Sequence, residues 1–170
     1  MTGPNTSKTK TLVMTGLLFA VAIVLSVIEN QLPPLGPVPG VKFGLSNIVV
    51  MFCLFFLKKR QAFALAVLKS LFAFITRGPI AAALSLSGGI ASLLIMILLL
   101  VLFKDKLSYS AVSICGAVTH NIAQFVVVSL LFVNIFVWAY LPVLVIAGIV
   151  MGLITSVLLK LLLPILQRLL

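Results

Sequence analysis

Long apolar runs separated by short polar or turn-forming stretches dominate the chain. A helix needs about 20 apolar residues to cross the hydrocarbon core of a bilayer. Several runs are shorter, so their helices must stand nearly upright or extend into the adjoining loops. The pattern predicts an all-α, polytopic membrane protein in which residues 1–170 form a single domain of six transmembrane helices. The predicted helices are at about 11–30, 43–57, 61–76, 89–103, 108–133 and 137–163.

Two connections carry helix-breaking residues. Residues 31–42 contain four prolines and two glycines, so they form neither a helix nor a central strand and serve as a connector or as a lid. In residues 77–88, Pro79 suits a helix start and Gly88-Gly89 suits a helix end, which predicts a short helical or re-entrant piece. Irregular backbone at membrane depth requires a protein-lined or water-filled cavity, so both loops point to a pocket.

Composition excludes a water-soluble globule. The chain is 63% apolar and 8% charged, against roughly 45–50% and 25% in soluble domains. Its net charge of +10 comes from basic clusters that precede the first run and follow the second, fourth and sixth. This distribution predicts that both termini are cytoplasmic, and it does not indicate nucleic-acid binding. The clusters are Lys8 and Lys10, Lys58 to Arg60, Lys104 and Lys106, and Lys160 and Arg168.

Polar residues interrupt the fifth apolar run on one helical face. Ser113, Gly116, Ala117, His120 and Gln124 fall within an arc of about 100°, and Asn121 lies at its edge. His120 is the single histidine of the chain. Polar groups in a lipid-spanning helix are costly unless they face a cavity, a ligand or a partner. The alternative is that they only hold neighbouring helices together.

Polar residues of other segments reach the same depth. Helical rise places His120 and Gln124 about 18 and 24 Å from the cytoplasmic side of a core roughly 30 Å thick. Glu29 and Asn47 lie near the outer ends of the first two helices. The outer loops or their edges carry Lys42, Arg77, Ser85 and Ser87. This convergence favours a ligand pocket, with His120, Asn121 and Gln124 as one wall.

The charge of that pocket indicates the chemistry of its ligand. Lys42, Lys69 and Arg77, together with His120 when protonated, face the single acid Glu29. An excess of cations suits carboxylate or phosphate oxygens. Lys69, about 12 Å along the third helix, either serves the pocket or extends its ammonium to the membrane surface. Glu29 either contacts ligand or pairs with one of the cations.

Catalytic machinery is not apparent. The chain holds two acids, Glu29 and Asp105, and so has no carboxylate pair for Mg²⁺. It has no Cys/His metal cluster and no nucleotide-binding Gly-rich motif. Ser85 or Ser87 could pair with His120, but no acid is placed to orient the imidazole. We therefore expect a protein that is not an enzyme and that needs no metal or cofactor.

Small residues at four-residue spacing predict close helix contacts. Gly16 and Ala20 have this spacing in the first run, and Gly148, Gly152 and Ser156 have it in the last. Such stripes let helices approach closely, either within the bundle or on a membrane partner. The sequence leaves the two uses open.

Four motifs together resemble those of the Gx transporter family, also called heptaprenyl diphosphate synthase component I. The likeness covers about residues 11–155, and the family is similar in size and layout to the S components of energy-coupling factor (ECF) transporters. The motifs are Glu29-Asn30, Pro37-Val-Pro-Gly-Val-Lys42-Phe-Gly44-Leu-Ser-Asn47, Ser85-Leu-Ser-Gly88-Gly89 and Gly116-x-x-x-His120-Asn121-x-x-Gln124.

The resemblance implies a multi-pass protein of the bacterial plasma membrane that captures a vitamin or precursor from outside. A transmembrane (T) component and two ATPase subunits would drive uptake, with Gly16 and Ala20 meeting the T component and residues 31–42 as the gate. Lys69 stands where arginine is expected, which keeps the charge but removes bidentate oxyanion binding.

Two other functions stay open. The second family name implies either a non-catalytic accessory subunit of a polyprenyl (heptaprenyl) diphosphate synthase or transport of an isoprenoid or quinone precursor. A small, self-sufficient facilitator is the third possibility.

Overall fold

A computed structural model describes residues 8–31, 44–103, 106–131 and 135–167. All regular structure in these ranges is helical, which confirms the predicted all-α class. The predicted loop at 31–42, with its prolines and Lys42, lies almost wholly outside the described residues. The helices are α1 Lys8–Gln31, α2 Asn47–Phe56, α3 Lys59–Arg77, α4 Pro79–Phe103, α5 Tyr109–Leu131 and α6 Leu141–Gln167, with a 3₁₀ helix at Ile135–Tyr140 before α6.

Four of the described helices are long and apolar enough to cross a membrane. They correspond to α1, α4, α5 and α6, the last including the end of the 3₁₀ helix. Large apolar side chains such as Leu12, Ile75 and Leu130 point outward and are more than 70% exposed. Lipid can cover such side chains at no cost, whereas water cannot. The chain is therefore a multi-pass membrane protein.

The second helix differs from its prediction. We expected a span at 43–57, but α2 has ten residues and is about 15 Å long, half the thickness of the bilayer core. Residues from Ile48 to Leu54 are all buried, so α2 presents no lipid-facing side. An apolar helix of this length that is covered all round is a core helix rather than an independent span.

The third helix is long but less apolar. Its 19 residues extend about 28 Å, yet they include Lys59, Arg60, Lys69 and Arg77. The turn from α2 to α3 is short, because the Gln61 side chain accepts a hydrogen bond from the Lys58 amide at 2.9 Å and caps the new helix. Helices α2 and α3 thus form a tight antiparallel pair within the bundle.

The fourth helix begins earlier than predicted. Pro79 starts it, as the sequence indicated, but Gly88 and Gly89 do not end it, since α4 continues unbroken to Phe103. Helical hydrogen bonds within an apolar bundle leave no backbone group unpaired, which outweighs the low helix propensity of glycine. The predicted loop at 77–88 is therefore mainly the first half of α4.

Helices α5 and α6 approach each other closely at two glycines. A Cβ atom on Gly152 would lie 2.5 Å from the Ile114 Cα atom, and one on Gly148 would lie 2.9 Å from the Val118 Cα atom. Ser156 continues the stripe and shares a 3.0 Å hydrogen bond with Ser110. This small-residue stripe is therefore used for packing inside the bundle.

The substitution Gly152→Ala should lower the free energy of unfolding by about 1–3 kcal/mol, because the new methyl group meets backbone that cannot rotate away. The matched control is Gly16→Ala on α1, where a Cβ atom meets nothing within 4 Å. That change should raise stability by roughly 0.5–1 kcal/mol. Denaturant unfolding in detergent micelles measures both, and equal stabilities would contradict the packing role.

Candidate functional site

Five helices enclose a polar pocket at one end of the bundle. We call this the upper end, where α1 ends and α2 begins. Polar and charged side chains share the pocket with apolar walls from α1, α3 and α4. Its lining consists of Ala22, Ile23, Ser26, Glu29, Gly44, Ser46, Asn47, Lys69, Phe72, Arg77, Ala81, Ser85, His120 and Gln124.

A chain of hydrogen bonds crosses the pocket from α3 to α5. Lys69 Nζ donates to Asn47 Oδ1 at 2.6 Å. The other amide atom, Asn47 Nδ2, lies 3.3 Å from His120 Nδ1. Asn47 is the first residue of α2, so its side chain joins three helices. Lys69 therefore turns into the pocket instead of extending its ammonium to the membrane surface.

The hydrogen bonds made by Asn47 determine which ring nitrogen of His120 carries the proton. An ammonium can only donate, so the Asn47 atom that faces Lys69 is the carbonyl oxygen. The amide nitrogen then faces His120 as a donor, and Nδ1 must accept. A neutral imidazole with an accepting Nδ1 carries its proton on Nε2.

Glu29 holds the segment that leads into α2. It lies two residues before the end of α1 and is 4% exposed. Its Oε1 atom accepts a hydrogen bond from the backbone amide of Gly44. Gly44 has a φ angle of 80°, a left-handed conformation that favours glycine. The carboxylate also interacts electrostatically with Lys69 and Arg77. Its position is therefore compatible with a ligand contact and with pairing to one of these cations.

Two buried polar atoms at the pocket have no hydrogen-bond partner among the residues that the structure describes. They are Arg77 Nε and Gln124 Oε1. Gln124 Nε2 makes only a long, 3.4 Å contact with the Leu84 carbonyl oxygen. Buried polar atoms are usually paired, so these two are available to a further hydrogen-bonding group.

A second, smaller cavity lies below the pocket and shares Gly44, Asn47 and His120 with it. It carries no charged side chain, and the buried Ser113 hydroxyl on its wall has no partner among the described residues. Its other lining residues are Met51, Ser92, Met96, Gly116, Ala117, Asn121 and Thr155.

Seven of the ten predicted site residues meet in the upper pocket, two lie elsewhere, and one is outside the described residues. Ser87 lies on another face of α4, in an open apolar groove beside α5, because two residues on a helix are about 200° apart. Asn121 lines the lower cavity and donates to the Leu144 carbonyl oxygen at 3.0 Å, so it links α5 to α6. Lys42 lies outside the described residues. The seven are Glu29, Asn47, Lys69, Arg77, Ser85, His120 and Gln124.

Sequence reasoning missed several lining residues. Ser26 precedes Glu29 by three positions and so shares its helical face, a signal that was present in the sequence. Phe72 follows Lys69 by three positions and carried the same signal. Ser46 carried none, because only the packing of α2 turns it toward the pocket. The same holds for Ser92 and Thr155 in the lower cavity.

The enclosed space suits hydrogen bonding to an anion. Lys69 and Arg77 outnumber Glu29, and the free capacity of Arg77 and Gln124 lies beside them. The cavity volume is about 30 Å³, room for about two water molecules. A larger molecule therefore requires the surrounding side chains or helices to move apart.

Comparison with known proteins identifies the family of this chain. The sequence profile of heptaprenyl diphosphate synthase component I matches residues 18–162. The chain belongs to this family. The fold of this family member is similar to that of a solved protein described as the S component of a bacterial ECF transporter, with a TM-score of 0.64. The two chains are 22% identical, over 95% of this chain and 98% of the other. A search of curated proteins returned no match.

The substitution Lys69→Met in this family member should leave the free energy of unfolding unchanged or higher. Burying an ammonium is unfavourable, and an apolar side chain of similar shape avoids that penalty. Thermal unfolding in detergent tests this, with the exposed Lys160→Met as the control for loss of charge. A clear loss of stability in Lys69→Met alone would indicate that Lys69 is mainly structural.

Proposed function

We propose that the chain is a substrate-binding S component, which captures a small anionic or amphipathic metabolite from outside a bacterial plasma membrane for ATP-driven uptake. The observation that carries the proposal is the upper pocket, where Lys69 and Arg77 outnumber Glu29 inside an apolar bundle. The S-component fold and the four apolar helices support it. The basic clusters support cytoplasmic termini, with the upper end facing outward.

The ligand is proposed to carry a carboxylate or phosphate group. Lys69 and Arg77 would bind its oxygens, and Gln124 and Ser85 would add neutral hydrogen bonds. Ala22, Ile23 and Phe72 offer apolar walls for the rest of the molecule, which fits a vitamin or an isoprenoid or quinone precursor. Glu29, Asn47 and His120 would position the two cations and close the pocket below. We infer no catalytic role for any of these residues.

The energy for uptake is proposed to come from partners, a T component and two ATPase subunits. The small residues Gly16 and Ala20 lie on an exposed side of α1, unlike Gly148 and Gly152, which pack against α5. An exposed stripe of small residues allows a partner helix to approach closely. The face of α1 around Gly16 is therefore the proposed docking surface for the T component.

A second candidate function is a non-catalytic accessory subunit of a polyprenyl diphosphate synthase. The family description favours it. With only two acids, the chain cannot itself hold Mg²⁺ on a diphosphate as such synthases require. Purification from cells separates the candidates, because an S component should bring down ATPase subunits, whereas an accessory subunit should bring down a soluble synthase.

The double substitution Gly16→Leu with Ala20→Leu should abolish co-purification of the T component, because two bulky side chains hold the helices apart. Cys115→Leu, an exposed substitution on α5, is the matched control and should leave the complex intact. Affinity purification followed by mass spectrometry measures both. Normal assembly of the double variant would show that the T component docks on a different surface.

Two charge substitutions should change anion binding in opposite directions. Lys69→Met should weaken binding of acetate or inorganic phosphate, and Glu29→Gln should strengthen it, each by at least tenfold, because one unit charge at about 4 to 12 Å contributes roughly 4 to 1.4 kcal/mol at an effective dielectric constant of about 20. The glutamine oxygen can still accept from the Gly44 amide. Damage to the fold would instead weaken binding in both variants.

Equilibrium dialysis of the protein in nanodiscs measures these affinities, and the preference between acetate and phosphate distinguishes the two kinds of ligand. Native mass spectrometry of the purified protein then identifies any small molecule that stays bound. If neither anion binds, or if neither substitution changes the affinity, the proposal of an anion-binding pocket is wrong.

A further inference from the structure

Gly88 lies in the interior of α4, where the backbone does not require a glycine. The described glycines with a positive φ angle are Gly44 and Gly78, whereas Gly88 is within a regular helix. A glycine inside a helix is less stable than an alanine at the same position. The reason for a glycine at this position must therefore lie in the space beside it.

The imidazole ring of His120 occupies that space. A Cβ atom on Gly88 would lie 2.7 Å from both Cε1 and Nδ1 of the ring, and 3.0 Å from Nε2. These separations are well below van der Waals contact, so the ring must move if residue 88 has a side chain. His120 is only 5% exposed and borders both cavities, so the space into which the ring can move lies in these cavities.

We propose that Gly88 is a positioning residue for His120. The missing side chain leaves a slot in α4 that receives the imidazole and turns Nδ1 toward Asn47. The slot thereby completes the hydrogen-bond chain from Lys69 through Asn47 to His120. Only the effect on ligand binding rests on the function proposed above, because the position and tautomer of the ring are properties of the protein alone.

Among the hydrogen bonds that link Lys69, Asn47 and His120, the contact between His120 and Asn47 is the one that depends on the slot. At 3.3 Å, it is near the upper limit for a hydrogen bond, so a shift of a few tenths of an ångström breaks it. The 2.6 Å bond from Lys69 to Asn47 involves neither Gly88 nor the ring and should survive. A methyl group at residue 88 should therefore release His120 while the fold and the Lys69 contact persist.

The neighbouring glycine provides a matched control. A Cβ atom on Gly89 would meet the Ala66 Cβ atom at 3.5 Å, an ordinary contact. Gly88→Ala and Gly89→Ala make the same chemical change one residue apart in the same helix. They differ in that only the first obstructs the imidazole.

The single histidine makes the ring directly observable. Protein labelled with ¹⁵N-histidine, purified without a histidine tag and placed in nanodiscs, should show one pair of imidazole nitrogen signals. In the native chain, the protonated nitrogen should be Nε2, and Nδ1 should show the shift of a hydrogen-bonded acceptor. Gly88→Ala should move the Nδ1 signal or produce a mixture of tautomers, as should Asn47→Leu. Gly89→Ala should keep the native spectrum.

Removing the ring should remove the effect of residue 88. In a His120→Ala background, Gly88→Ala should no longer lower thermal stability and should raise it slightly, because the added methyl group then has room and alanine is favoured over glycine in a helix. Native imidazole signals in Gly88→Ala would overturn the proposal, as would an unchanged effect of Gly88→Ala when the ring is absent. If Gly88→Ala alone fails to fold, recovery of folding in the double variant Gly88→Ala with His120→Ala supports the proposal, and failure of that double variant to fold overturns it.

Acetate and inorganic phosphate serve as probes for the effect of Gly88 on ligand binding. Gly88→Ala should weaken whichever anion binds the native chain by about three- to tenfold, the effect of losing one or two hydrogen bonds, and Gly89→Ala should not. If neither anion binds but the nitrogen signals respond as expected, the proposed function fails and the positioning role stands. If an anion binds equally to both glycine variants, Gly88 does not act on the pocket.

Discussion

An ammonium group inside an apolar helix bundle must have an acceptor, and this requirement organises the upper end of the molecule. Lys69 finds its acceptor in Asn47 Oδ1 at 2.6 Å. The same amide faces His120, while Glu29 brings the opposite charge from α1 and binds the Gly44 amide ahead of α2. Lipid offers no hydrogen bonds to any of these groups. They therefore take their partners from one another, at the level where α1, α2, α3 and α5 meet.

The short length of α2 makes that arrangement possible. Because α2 is buried on all sides and extends only about half the depth of the membrane, its first residue lies inside the bundle. Asn47 thus reaches Lys69 and His120 from the end of a helix, with Gly44 close enough for Glu29 to bind. A full-length span would begin at the membrane surface, where water would compete for the same hydrogen bonds.

Glycines contribute in three ways, according to what lies opposite each. Gly148 and Gly152 face the backbone of α5 and allow close helix packing. Gly88 faces the ring of His120 and determines where the ring lies. Gly16 faces no other atom of the described chain within 4 Å and is available to a partner. The residue type alone does not distinguish these uses, because the sequence shows the spacing of small residues but not their neighbours.

The sequence by itself determined the helical membrane class, the approximate positions of most helices, and the shared level of Glu29, Asn47 and His120. These properties follow from hydropathy and from a fixed rise per residue, which are local. Only the tertiary structure decided that α2 is a core helix, that α4 continues through Gly88, and which polar groups share the pocket. Those outcomes depend on which helix faces which, and that depends on packing between segments distant in sequence.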